Sequence, residues 1–107
     1  MKFSLSDNLS FMIKTDGTVI AAMPDDEEFS PQQLRDYVAG PPEVVCVTAD
    51  GFVLFHNKEG KAQGLEPNDV ATSVVSSIPQ AENVVGRAFL AHPDHIAPHW
   101  KKARSRY

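Results

Sequence analysis

Residues 41–60, PPEVVCVTADGFVLFHNKEG, decide the fold, because two apolar runs rich in Val and Phe stand on either side of the turn signal ADG. β-Branched and aromatic residues suit the half-buried surface of a pleated sheet, and Asp-Gly supplies the positive-φ residue that a tight reversal needs. The stretch predicts a hairpin with strands near 43–48 and 52–56. The near-continuous apolar character of Val44 to Val47 predicts a strand covered on both faces or central in its sheet. NKEG (57–60) reads as the turn that follows.

On the N-terminal side, SPQQLRDYVAG (30–40) carries helix signals at both ends. Ser30 is an N-cap, Pro31 has the φ favoured at the first helical position, and Gln33 stands where a capping box needs it. Leu34, Tyr37 and Val38 share one face, and Gly40 is positioned to end the helix in a left-handed conformation, which predicts a helix over 31–39. Earlier still, LSFMIK and TVIAAM flank TDG. They predict a first hairpin with strands near 9–14 and 18–23. The acidic PDDEEF (24–29) reads as an exposed loop.

On the C-terminal side, Asn68 is a good N-cap for a second short helix on which Val70, Ala71, Val74 and Val75 cover one side. SSIPQAE is a loop, and NVVGRAFLA predicts a closing strand near 84–91, where Gly86 marks a bulge or a close backbone approach. Ile96, Trp100, Ala103 and Tyr107 recur at helical spacing and predict a C-terminal helical arm that covers the sheet through Trp100. Strands come first and last with helices between them. The expected architecture is a compact, single α+β domain, residues 1–107, with a mostly antiparallel sheet of about five strands, two short helices and the arm 92–107.

A chain of 107 residues, 42% hydrophobic and 22% charged, fits one soluble globular domain. A domain of this size has little spare stability, so a monomer and a homodimer both remain open. No apolar run approaches the length of a membrane span, and Asp7 and Asn8 interrupt the place of a signal peptide's apolar stretch. Together with a single cysteine, Cys46, these features predict a cytoplasmic protein. The net charge is −4, yet KKARSRY (101–107) carries four cations and no acid. An acidic body argues against a duplex-binding face, which leaves a weak nucleic-acid contact through Lys101, Lys102, Arg104 and Arg106 as one alternative.

The segment HNKEGKAQGLEPNDVATSVV, followed by NVVGRAFLA, resembles a family of phage, plasmid and bacterial proteins known as domain of unknown function 3846. The resemblance rests on Asn57, Glu59, Gly60 and Lys61, then Gly64, Leu65, Asn68, Ala71 and Thr72, then Gly86, and spans roughly 10–91. This chain departs from the family pattern at AGPPEVV, where two prolines stiffen the entry to the strand. The resemblance implies a fold and an association with mobile elements, and it brings no reaction.

The polar residues of that motif, Asn57, Glu59, Lys61, Asn68 and Thr72, form the predicted binding site, in a groove between the turn and the second helix. Each also has a local structural use, as turn former, solvated charge or helix cap. In HPDHIAPHW (92–100), His92, His95 and His99 offer a second candidate, since three nitrogens that converge could hold zinc. Pro98 interrupts any continuous helix through them. Cys46 and His56 fall on the two strands of one hairpin, but not at opposed positions. The sequence holds no Gly-rich phosphate loop, paired CxxC or nucleophile elbow. The function expected is a non-enzymatic accessory domain that binds a bacterial protein partner, with metal or small-ligand binding as the alternative.

Overall fold

The computed structural model describes residues 3–75 and 83–102. Within them, β1 (Ser10–Ile13) and β2 (Val19–Ala22) form the first hairpin, α1 (Pro31–Val38) follows, and β3 (Pro42–Val47) and β4 (Val53–Asn57) form the second. Next come α2 (Asp69–Val75), β5 (Ala88–Ala91) and α3 (Pro98–Lys102), with 3-10 turns at Leu5–Asp7 and Pro93–His95. The α+β architecture is as the sequence predicts. All five strands join one antiparallel sheet in the order β2-β1-β5-β4-β3.

The last strand is therefore the central one. All four residues of β5 are buried, and β1 and β4 meet only through it. β3, in contrast, is an edge, so of the two readings of Val44–Val47 it is coverage on both faces that holds. The ladder pairs Val44 with Phe55 and Cys46 with Leu54, which makes Val45 the extra residue of a bulge. Val44 can then pack on one face and Cys46 on the other, although alternation would put both on the same side.

Two apolar layers result. On one face Leu34 and Val38 of α1 meet Val44, Val53, Phe55 and Phe89, and on the other Ala71 and Val75 of α2 meet Cys46, Phe52, Leu54 and Leu90. The α1 layer is rich in rings. Tyr37 stacks on Phe89 at 4.3 Å between centroids, and Phe29 meets Phe89 edge-on at 4.9 Å. Such pairs add about 0.5–1.5 kcal/mol each beyond their buried area. Trp100 extends this layer, its ring edge-on to Phe55 at 5.1 Å.

Local signals act as read at the start of α1, and two readings are revised. Ser30 Oγ accepts the Gln33 N–H at 3.1 Å and Gln33 Oε1 accepts the Ser30 N–H at 3.0 Å, a complete capping box. The left-handed residue that ends α1 is Ala39, at φ 59°, and not Gly40. Gly40 is needed for another reason: a Cβ there would collide with the carboxamide of Asn57. At Gly86 both demands coincide, since φ is +74° and a Cβ would stand 2.7 Å from Leu65 Cδ1. The closing strand is shorter than read, because Val85 makes only an isolated bridge to Pro67. The loop predicted at 76–82 and the arm residues Ala103, Arg104, Arg106 and Tyr107 lie outside the described residues.

Candidate functional site

The five motif residues divide into three that tie the chain together and two on its surface. Asn57, at the end of β4, is 1% exposed. Its Nδ2 donates to the Ala39 carbonyl at 3.1 Å and to Gln63 Oε1 at 3.4 Å, and its Oδ1 accepts the Glu59 N–H at 2.8 Å. It thus joins the C-terminus of α1 to the 57–64 loop. Asn68 is wholly buried and caps α2, accepting the Ala71 N–H at 3.0 Å. Its two amide hydrogens go to the carbonyls of Ile13 and Gly86, each at 2.9 Å. Both amide hydrogens and the carbonyl oxygen are thus engaged. Thr72 Oγ1 accepts the Val84 N–H at 3.0 Å, so it reaches across to the segment entering β5 rather than back to its own helix. Glu59 and Lys61 are exposed.

The histidines separate. His92 donates from Nε2 to the Leu5 carbonyl at 3.0 Å and accepts the Asp94 N–H on Nδ1 at 3.1 Å. Ser10, fully buried at the start of β1, accepts the His92 N–H at 2.8 Å and sits 2.8 Å from His95 Nδ1. The arrangement that also uses the hydroxyl's own proton has Ser10 donating to Nδ1, which puts the hydrogen of His95 on Nε2. That nitrogen is buried and unbonded among the described residues. Burial, and secondarily the neighbouring His92, hold the His95 pKa below the usual histidine value, against an opposing pull from Asp94. The two rings lie 5.0 Å apart, while His99 is exposed beside Trp100 at the start of α3. Among the described residues no three His, Cys, Asp or Glu side chains are placed to hold a metal ion. His92 and His95 instead fasten the N-terminal segment and β1 to the approach of α3, which Pro98 begins. Ser10 carries no pattern that marks it in the sequence, because its partners stand more than eighty positions away.

Cys46 is buried opposite Leu54, and His56 faces Glu43, with Nε2 and Oε1 at 2.8 Å. The turn sets Cys46 opposite Leu54, and the bulge at Val45 then shifts the register so that His56 pairs with Glu43. A cavity of about 360 Å³ opens elsewhere, between α2, the β3–β4 turn and Phe3. None of the five motif residues lines it.

A small, wholly antiparallel five-stranded sheet with a helix on each face, closed by its final strand, defines an α+β domain whose polar motif fastens loops to the sheet. The family model described as domain of unknown function (DUF3846) matches residues 11–99, and the chain belongs to that family. The match runs past residue 91, so it takes in His92 and His95, which the sequence motifs left outside. No curated protein and no solved structure matches the chain. Among the described residues no helix is long and apolar enough to cross a membrane.

Proposed function

We propose that the domain is a non-enzymatic interaction module of mobile-element context that docks on a bacterial protein partner by accepting an extended segment along β2. The observation that carries this reading is the contrast between the two edges of the sheet. β3 begins at Pro42 and carries the bulge at Val45, and both features obstruct a further strand. β2 has neither, and Val19–Ala22 contains no charged residue. Ile20 is 43% exposed, and Met23 just beyond the strand is 50% exposed.

The hydrogen bond from the Lys14 N–H to the Thr18 carbonyl fixes which pairs of this hairpin are bonded. Alternation along the ladder then leaves Val19 and Ala21 with N–H and C=O groups pointing away from β1. These are the groups that strand addition uses. Acidic residues stand at both ends of the edge, Asp16 before it and Asp25, Asp26, Glu27 and Glu28 after it. The fitting segment is apolar at its centre and flanked by Lys or Arg. Five acids against the single Lys14 favour such a partner over a second copy of the chain.

Selection from a displayed library of random peptides tests the reading, with Ala21→Pro as the control. Proline removes an outward N–H and leaves the β1–β2 ladder intact. The expected result is enrichment of extended apolar segments with basic flanks, and loss of their binding to Ala21→Pro. Binding that survives Ala21→Pro unchanged would overturn it.

A further inference from the structure

The geometry points to a binding site for a small hydrophobic ammonium ion in the cavity between α2 and the β3–β4 turn, independent of the β2 edge. Its volume of about 360 Å³ falls within the range of small-molecule sites, roughly 300–1,000 Å³. Phe3, Phe52, Val70, Val74 and Leu90 provide apolar walls, and among the described residues Asp50 is the only ionisable one that lines it.

The polar groups decide the sign of the ligand. Thr48 Oγ1 already accepts the Phe52 N–H at 3.1 Å, and the Ser73 hydroxyl donates to the Val70 carbonyl at 2.6 Å. The Ser73 proton is thus spent on a carbonyl, and the Asp50 carboxylate is what sets the sign of the ligand. Asp50 stands at the tip of the turn, exposed, with no hydrogen bond or ion pair to a described residue. A carboxylate at the mouth of a pocket with two phenyl rings suits an amine on a short hydrocarbon body. The ammonium pairs with Asp50 and gains from nearby aromatic faces, while the body takes the apolar wall.

The turn explains why an acid can be held there. The Gly51 N–H bonds to the Thr48 carbonyl at 2.9 Å, and Gly51 takes φ +100°, so the reversal is set by its neighbours and leaves the Asp50 side chain uncommitted. Asp50→Asn therefore removes the charge and keeps a residue that suits a turn.

Amide NMR titration with three probes of similar shape tests the site: 2-phenylethylamine, 2-phenylethanol and 3-phenylpropionate. The amine is expected to bind with a dissociation constant of order 1 mM, as suits a ligand of so few atoms. Its shifts should centre on Phe3, Asp50, Phe52, Ser73 and Val74. The amine should bind about fivefold more tightly than the alcohol, the carboxylate should bind least, and Asp50→Asn should erase the preference between amine and alcohol. Val74→Trp, which fills the cavity from α2, should abolish binding of all three. Equal affinity for amine and alcohol in the unaltered protein, preference for the carboxylate, shifts centred elsewhere, or no binding at all would each overturn the assignment.

Discussion

Asn68 shows how one side chain can serve several parts of a fold. Its role as a cap is legible from sequence because a cap is local, three residues from its acceptor bond at Ala71. Its bonds to Ile13 and Gly86 join positions far apart in the chain, and no periodicity signals them. Asn68→Ala removes a cap and leaves two carbonyls without their donors, at a cost of about 2–4 kcal/mol. Glu59→Ala and Lys61→Ala should each change stability by less than about 0.5 kcal/mol. Urea unfolding of the three variants distinguishes these effects. His95 supplies the pH dependence at this scale. Its pKa is lowered in the folded state from the ordinary 6.5, so below that pH the unfolded chain binds a proton that the folded one resists. Stability from this group is complete above pH 6.5 and declines as pH falls from there toward the lowered value. Unfolding at pH 7.5, 6.5 and 5.5 should show the decline, and His95→Gln should flatten it.

At the scale of the element, α1 was legible at both ends because the capping box, Pro31 and the apolar face all agree on one helix. At its C-terminus the sequence points to the right residue, Gly40, for the wrong reason. Gly40 is required by the approach of Asn57, a contact between the end of α1 and the end of β4. Gly40→Ala should therefore destabilise the domain by about 1–3 kcal/mol, although alanine is the better helix former. A calorimetric Tm unchanged by that substitution would contradict the contact. The edge position of β3 escaped the sequence for a related reason. A strand whose bulge lets it face two helices carries the same apolar run as a central one, so composition reports coverage and not order.

The sheet order belongs to the whole molecule, and it was not legible at all. Sequential hairpins suggest neighbours, yet β5 enters between β1 and β4 after both hairpins have been made. Without β5 the two hairpins share no ladder. A chain ending before Ala88 should lack cooperative unfolding, whereas native-like NMR dispersion from that fragment would contradict the topology. The candidate site followed the same division. The motif residues could be picked out, but their duties as ties between loops and sheet depend on partners that only the fold brings near.

The same topology leaves β2 as the edge of the sheet without a bulge or proline, and the proposed docking runs along it. Amide hydrogen exchange on the domain with and without a selected basic-flanked peptide measures it most directly. The Val19 and Ala21 amides should exchange quickly in the free protein and become protected when the peptide binds, with the β5 amides already slow in both. Val19 and Ala21 amides that stay unprotected in a saturated complex would show that the partner sits elsewhere and that β2 is only the rim of the sheet.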